Sequence, residues 1–187
     1  MSRLILVTFF ASFVCTSIIG QSFAAFQRLD SCLNWRCVVG LSKDVSLRLD
    51  RSIPWRLPLR QAARVSSTYG YRVHPIDGQQ KFHGGVDIAA PLGSSILASG
   101  SGTVTTGFNA VLGHYVTIDH LNGFTSTYGH LDQILVSLGA SVDPDSLIGT
   151  VGESGRTTGP HLHWSVRHSV SGSLDPLELR SLFLDSF

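Results

Sequence analysis

Residues 114–130 read HYVTIDHLNGFTSTYGH, two runs that alternate apolar and polar residues around Asn122-Gly123. Alternation with a period of two places one set of side chains on a buried sheet face and the other in solvent. Asn-Gly is typical of a two-residue hairpin turn, because both turn positions adopt positive φ. The stretch therefore predicts a β-hairpin with strands over residues 114–120 and 123–130.

Further runs of this kind, separated by glycine turns, continue through the rest of the chain from residue 65. Short strands with no long helix between them pair antiparallel, because parallel neighbours need a long crossover connection. The expected fold is therefore mostly β, an antiparallel β-sandwich or open barrel. Its other strands are predicted at residues 85–89, 95–98, 102–108, 147–151 and 161–167.

The length of the chain indicates its domain organisation, and its charge indicates which partners to expect. With 187 residues it has room for one domain and an appendage. The formal net charge is +1 and 14% of the residues are charged, so nucleic acid is not an expected partner. Two prolines end the N-terminal part, and we predict an extension or linker over residues 25–60, a domain over 61–180 and a C-terminal tail over 181–187.

Residues 1–24 have the layout of a secretory signal peptide. Arg3 supplies a positive charge, an almost wholly apolar run follows, and Ser22 and Ala24 are small residues before a cut at Ala25. An uncleaved anchor is the alternative, but the apolar run is short for a span of about 20 residues. We therefore expect cleavage, no stable membrane span afterwards, and a mature protein in the periplasm or outside the cell.

The mature chain would keep two cysteines, Cys32 and Cys37. In an oxidising compartment, a disulfide between them is the natural expectation. The bridge would close a short loop and pin only the local turn around Trp35. A cysteine metal site is the alternative, but one C-x4-C spacing without a second pair is weak support for zinc.

The chain contains eight histidines, and two of them, His161 and His163, lie one residue apart in a predicted strand. Their side chains share one face of that strand, while Leu162 and Trp164 take the other. An exposed strand edge with spare histidines is one interpretation. Imidazoles on a buried face need polar partners, however, and the pattern by itself favours a metal or catalytic site.

A second cluster places His83 four residues before Asp87. A straight strand would separate them by roughly 13 Å, too far for two zinc bonds of about 2.0–2.2 Å. Gly84-Gly85 between them allows the chain to bend sharply. With His163, the set has the ligand count of a catalytic zinc that keeps its fourth position for water. The alternative is a turn-capping Asp87 and a solvated His83.

His130 ends the apolar run Tyr128-Gly129 and is followed by a loop. A histidine in that position is often a surface residue. Together with His161 it offers two imidazoles that need not bind metal and can handle protons, so the residues alone leave its role open.

Five blocks of sequence follow one another in a specific order: SSTYGYRVHP at 66–75, HGGVDIAAPLG at 83–93, YGHL at 128–131, IGTVG at 148–152 and TGPHLH at 158–163. In these blocks the chain resembles the lysostaphin/LytM-type zinc metallopeptidases of peptidase family M23, endopeptidases that cut bacterial peptidoglycan peptides. The resemblance covers about residues 54–178.

The resemblance implies the fold of that family, a duplicated hybrid motif in which a β-sheet groove carries the metal on its floor. It implies that His83, Asp87 and His163 bind one Zn²⁺, and that His130 and His161 are the catalytic histidines. A zinc-activated water would then attack a peptide carbonyl, and residues 61–180 would form the metallopeptidase domain.

Two other functions remain open at this point. A non-catalytic relative would bind peptidoglycan or activate another hydrolase, but such relatives are expected to lose ligands or catalytic histidines, and this chain keeps all five. A general peptidase acting on glycine-rich proteins would use the same chemistry. A protein regulator is possible. Residues 25–60 can cover the groove as a plug or simply pack on the domain, and the absence of a further metal-ligand pattern favours packing.

Overall fold

The computed structural model describes residues 51–60, 63–73 and 78–184. Several sequence predictions concern residues outside these ranges, namely the signal peptide, the Cys32–Cys37 disulfide and most of the N-terminal extension. They stay predictions. Within the described residues, no helix combines the length and the apolar character needed to cross a membrane.

Most of the regular secondary structure in the described residues consists of strands. They are β1 (Arg64–Ser67), β2 (Gly70–Val73), β3 (Gln80–His83), β4 (Val86–Ala89), β5 (Ser95–Leu97), β6 (Gly102–Asn109), β7 (Gly113–Asp119), β8 (Phe124–Ile134), β9 (Ser141–Val142), β10 (Leu147–Val151), β11 (His161–His168) and β12 (Gly172–Leu174), followed by the helix α1 (Pro176–Leu184).

All strand pairs are antiparallel, which confirms the predicted mostly-β fold. The main sheet runs in the order β1-β4-β11-β8-β7-β6-β9, with β12 beside β11 and β10 joining β8 to β5. The strands β2 and β3 form a separate two-stranded ribbon. Since β11 lies between β4 and β8, three segments that are distant in sequence meet at the centre of the sheet.

The predicted hairpin is confirmed, but the two-residue turn at its tip is wrong. The connection between β7 and β8 comprises residues 120–123, closed by a hydrogen bond from His120 N to the Phe124 carbonyl oxygen at 3.0 Å. Positive φ occurs at Leu121 (59°) and Gly123 (87°), not at Asn122. The Asn122 side chain accepts a hydrogen bond from Phe124 N at 3.1 Å, so it stabilises the turn as an Asx residue in a longer loop.

The core lies behind the central strands. On β11, Leu162 and Trp164 are fully buried, whereas the two histidines of that strand face the other way, as the alternation predicts. The helix α1 closes one end of the core through Leu179 and Phe183. Residues 51–60 also pack here, with Trp55 stacked on Phe183 at a centroid distance of 5.6 Å.

A buried polar network crosses the hairpin between β7 and β8. The His120 side chain is 3% exposed, donates from Nδ1 to the Ser101 carbonyl oxygen at 2.7 Å, and has Nε2 2.9 Å from Ser126 Oγ. Ser126 Oγ in turn lies 3.0 Å from the Tyr128 hydroxyl, which is also hydrogen-bonded to Ser99. The neutral imidazole thus has a partner at each nitrogen.

Burial lowers the pKa of His120 and outweighs the opposing effect of the Ser101 carbonyl. The unfolded chain therefore binds a proton near the ordinary histidine pKa of about 6.5, whereas the folded chain does so only at lower pH. The contribution of His120 to the free energy of unfolding is fully present above about pH 6.5. It is lost as the pH falls from there toward the pKa that His120 has in the folded chain. We expect His120→Asn to reduce the decline of unfolding free energy between about pH 7.5 and about pH 5.5.

The measurement is urea unfolding of parent and variant with a chelator present, so that metal release does not add to the slope. At the higher pH, His120→Asn itself should cost about 1–3 kcal/mol, because Ser126 and Ser101 lose a buried partner. Parallel pH dependences in the two proteins would show that His120 does not set the slope.

Candidate functional site

The corner between β3 and β4 carries the first two site residues. His83 ends β3 and Asp87 is the second residue of β4, so the two glycines between them form the bend that the sequence predicted. A Cβ atom on Gly85 would lie 2.6 Å from the Trp164 carbonyl oxygen and 2.8 Å from Ser165 Cβ. Only glycine fits this close approach of the corner to β11.

Strand pairing brings the third residue to the same corner. His163 on β11 is in register with Asp87 on β4 on one side and with Gly129 on β8 on the other. His161, two residues earlier, projects from the same face of β11. Gly129 precedes His130, so all five predicted site residues lie around one position at the centre of the sheet.

Three donor atoms form a group suited to one metal ion. Asp87 Oδ1 is 2.8 Å from His163 Nδ1 and 3.1 Å from His83 Nε2, and the two nitrogens are 3.2 Å apart. An ion with tetrahedral bonds of about 2.0–2.1 Å needs its ligand atoms about 3.3 Å apart. The three side chains can therefore hold such an ion after only a small outward shift, and they remain 10–14% exposed.

Neighbouring groups orient two of these side chains. The Thr68 carbonyl oxygen accepts a hydrogen bond from His83 Nδ1 at 2.8 Å, which leaves Nε2 with the lone pair that a metal needs. An Arg72 guanidinium nitrogen lies 3.3 Å from Asp87 Oδ2, so the carboxylate presents its other oxygen to the two histidines. Sequence reasoning assigned no role to Thr68 or Arg72, although both lie in the block at 66–75.

The carboxylate is held in its charged form. Burial by itself would raise the pKa of Asp87, but hydrogen bonds and charge from His163 and His83 hold that pKa well below the usual range of a carboxyl group. An ionised carboxylate beside two imidazoles is the donor set that divalent zinc prefers.

His130 and His161 form a second pair beside this group. Their ring centroids are 4.5 Å apart, and His161 Nε2 is 3.8 Å from Asp87 Oδ1. Each ring donates from Nδ1 to a main-chain carbonyl oxygen at 2.8 Å, His130 to Ser154 and His161 to Gly159. In the neutral tautomer this leaves Nε2 of each ring free to accept a proton.

The backbone of His130 is strained. Its φ is 63°, in the left-handed region that side-chain-bearing residues rarely adopt. A hydrogen bond from its main-chain nitrogen to the Leu112 carbonyl oxygen at 2.7 Å and the ring contact with Ser154 maintain this conformation. Strain of roughly 1–2 kcal/mol is common at functional sites, where it fixes the direction of a side chain.

Burial also affects the protonation of this ring. It lowers the pKa of His130, outweighing the stabilisation of the imidazolium by the Ser154 carbonyl oxygen. His130 therefore stays neutral near pH 7 and has a lone pair on Nε2 with which to take up a proton.

Comparison with known proteins agrees with this geometry. The sequence pattern of peptidase family M23 matches residues 81–176. The chain belongs to peptidase family M23. The family resemblance drawn from the five sequence blocks is thereby confirmed.

The chain is also similar to individual relatives over part of its length. It is 46% identical over 103 residues to peptidoglycan DD-endopeptidase ShyC of Vibrio cholerae, an alignment that covers 54% of this chain and 24% of ShyC. This chain therefore matches about a quarter of that curated relative.

Solved structures share the fold. A zinc-containing peptidase from Vibrio cholerae superposes with a TM-score of 0.62 at 32% identity, covering 69% of this chain and 40% of that one. The catalytic domain of lysostaphin from Staphylococcus simulans gives a TM-score of 0.58 at 26% identity, covering 63% of this chain and 92% of that domain. The agreement confirms the predicted lysostaphin-type fold.

Proposed function

We propose that this protein is an exported zinc metalloendopeptidase that hydrolyses peptide bonds in bacterial peptidoglycan. The observation that carries the proposal is the juxtaposition of two sets of side chains with different chemistry. His83, Asp87 and His163 form a metal-binding group, and two further histidines present free Nε2 atoms beside it. Similarity to a peptidoglycan DD-endopeptidase and to a zinc-containing peptidase supports the substrate and the metal.

In this proposal His83, Asp87 and His163 would hold one Zn²⁺, which would supply the Lewis-acid chemistry that activates water and polarises a peptide carbonyl. Arg72 keeps the Asp87 carboxylate turned toward the two histidines. His130 and His161 accept the proton of the attacking water at Nε2, stabilise the charge that develops on the carbonyl oxygen, and return a proton to the departing amine. The main-chain carbonyl groups of Ser154 and Gly159 fix the tautomer in which Nε2 can do this.

The experiment is digestion of purified peptidoglycan by the mature chain, residues 25–187, with zinc present. We expect soluble peptide fragments that mass spectrometry assigns to cleavage of stem or cross-link peptides, and we expect a chelator to stop their release. Binding to peptidoglycan without cleavage would favour the non-catalytic alternative. Cleavage of glycine-rich proteins with intact peptidoglycan would favour a general peptidase.

Export is a separate part of the proposal. It rests on the sequence of residues 1–24, which also makes the Cys32–Cys37 disulfide a prediction about the mature protein. Fractionation of cells that express the full chain tests it, because a signal peptide predicts a shortened protein outside the cytoplasm beginning at Ala25. Full-length protein retained in the cytoplasm would contradict export without affecting the hydrolytic function.

Ser154 is expected to act as a positioning residue in this reaction. Its hydroxyl donates to the Leu131 carbonyl oxygen at 2.7 Å and accepts from His114 N at 2.9 Å, which places its own carbonyl oxygen against His130. We expect Ser154→Ala to lower kcat about tenfold, roughly the effect of losing one hydrogen bond that orients a catalytic group, with little change in KM.

Zinc content should stay at the parent level in Ser154→Ala, because Ser154 contacts none of the three proposed ligands. A matched control is Ser173→Ala, which removes a hydroxyl that bonds the Gly84 carbonyl oxygen away from His130. Equal loss of kcat in the two variants would contradict a specific role for Ser154.

A further inference from the structure

Thr157 lies in the loop between β10 and β11, four residues before His161. Its hydroxyl group closes a small triangle of polar atoms. Thr157 Oγ1 donates a hydrogen bond to the Gly159 carbonyl oxygen at 2.7 Å, and His161 Nδ1 donates to the same oxygen at 2.8 Å. Thr157 Oγ1 and His161 Nδ1 are themselves 3.2 Å apart. The oxygen that orients the His161 ring is therefore also held by Thr157.

A second hydrogen bond ties the same hydroxyl group to the main chain. Thr157 Oγ1 accepts from Gly159 N at 3.1 Å, so one side chain holds both the nitrogen and the carbonyl oxygen of Gly159. Short polar side chains that bond the main chain two residues further on stabilise turns. Here the turn includes the carbonyl group that contacts a proposed catalytic ring. The conformation of the turn therefore sets the position of that ring.

Packing contributes little to the position of Gly159. A Cβ atom added to this glycine would have no heavy atom within 4 Å beyond its neighbours in the chain. Those neighbours, Thr158 and Pro160, are exposed. Glycine also has a wide choice of backbone conformations. The Gly159 carbonyl group is therefore fixed by its hydrogen bonds with Thr157 and His161, and not by close contact with the rest of the domain.

The ring at the end of this chain of contacts lies beside the proposed metal ligands. His161 Nε2 is 3.8 Å from Asp87 Oδ1, and the His161 ring centroid is 4.5 Å from that of His130. Catalytic side chains need to be held within about 0.5 Å of the productive geometry by groups that restrict their rotation. A hydrogen bond at Nδ1 restricts the rotation of the ring and so directs Nε2 toward the site.

We infer that Thr157 is a positioning residue for His161, because its hydroxyl group holds the Gly159 carbonyl group that orients the His161 ring. The inference rests on the proposed function and adds a residue that acts through His161 alone. The sequence assigns Thr157 no role, since it lies just before the block at 158–163.

The test compares Thr157→Val with Thr157→Ser. Valine has nearly the shape of threonine without the hydroxyl group, whereas serine keeps that group. We expect Thr157→Val to lower kcat for peptidoglycan about tenfold, roughly the effect of one lost hydrogen bond, with KM and zinc content unchanged. Thr157→Ser should keep kcat within about twofold of the parent. Equal kcat values in Thr157→Val and the parent would overturn the inference.

A double-mutant cycle separates positioning of His161 from a general effect on the structure. In His161→Asn the ring is absent, so adding Thr157→Val should cause no further loss of kcat. Losses that multiply in the double variant would show that Thr157 acts independently of His161, and the inference would then be wrong.

A measurement without substrate keeps the inference separate from the proposed function. Nitrogen-15 NMR of the imidazole rings, with zinc present at about pH 8 where an ordinary histidine is neutral, shows which ring nitrogen carries the proton. His161→Asn identifies the signals of His161. The parent and Thr157→Ser should show a proton on Nδ1, whereas in Thr157→Val both nitrogen shifts should move toward the average of the two tautomers.

The two readouts distinguish the possible failures. The expected NMR change in a protein that hydrolyses no peptidoglycan would support the role of Thr157 in holding the ring and contradict the proposed function. Unchanged His161 shifts in Thr157→Val would overturn the inference, whether or not the protein hydrolyses peptidoglycan.

Discussion

His163→Ala is expected to abolish both zinc binding and peptidoglycan hydrolysis. Nδ1 of His163 lies 2.8 Å from Asp87 Oδ1 and 3.2 Å from His83 Nε2, so the substitution removes one of the three proposed ligands. Structural zinc sites bind with roughly 10–16 kcal/mol shared among about four ligands. Losing one ligand should therefore weaken zinc binding roughly 10²- to 10³-fold.

Two measurements test this prediction. Zinc per protein after dialysis should fall to background, and competition with a chromophoric chelator should give the change in affinity. His83→Ala should behave in the same way, because Nε2 of His83 lies 3.1 Å from Asp87 Oδ1. Circular dichroism must show that each variant keeps its β-structure, since His163 lies in the central strand β11.

His168→Ala is the matched control for His163→Ala. It removes the same side chain from the end of the same strand, where the ring packs on Phe124 at a centroid distance of 4.7 Å. This variant should keep zinc and activity. A folded His163→Ala protein that retains stoichiometric zinc would rule out the proposed ligand set.

The convergence of the three proposed ligands could be predicted because it depends on local geometry. The alternation in β11 placed His161 and His163 on one face, and the glycine pair explained how His83 and Asp87 approach each other. Burial of Leu162 and Trp164 and the bend before β4 agree with both arguments. Alternation with a period of two determines which side chains share a strand face, and a glycine pair permits a sharp bend of the backbone. Both features can therefore be recognised from the sequence alone.

The groups that support these residues could not be predicted in the same way. Arg72 meets Asp87 only because the β2–β3 ribbon folds against β4, and Ser154 meets His130 only because two loops interlock near Gly113. Neither ribbon strand shows a clear apolar alternation, since each has four residues of mixed polarity. Contacts of this kind depend on tertiary packing, which overrides local preference.

The helix α1 was also missed, although a signal for it was present. Asp175 precedes Pro176, an acidic N-cap before proline at the first helical position. In the structure Asp175 Oδ1 accepts a hydrogen bond from Leu177 N at 2.9 Å, which starts the helix. The helix continues to Leu184, past residue 180, where the domain was predicted to end.

His130→Asn is expected to abolish hydrolysis while leaving zinc bound. Asparagine is the better substitution than alanine, because it tolerates the left-handed backbone that His130 adopts at a φ of 63°. The ring of His130 is separated from that of His163 by 6.2 Å between centroids, and its Nδ1 is engaged by Ser154. Removal of the His130 ring should therefore prevent proton transfer at this position and leave the three proposed ligands in place.

Removal of a general acid–base group lowers turnover about 10²- to 10⁴-fold, and His130→Asn should fall in that range. The decisive readout is the pair of kcat and zinc content measured on one preparation, because loss of metal would lower activity by another route. His161→Asn should likewise lower kcat and retain zinc. The His161 ring also donates a hydrogen bond from Nδ1 to a carbonyl oxygen and presents Nε2 to the site. A folded but zinc-free His130→Asn protein would refute the division between metal-binding and proton-transferring histidines, and full activity would remove His130 from the mechanism.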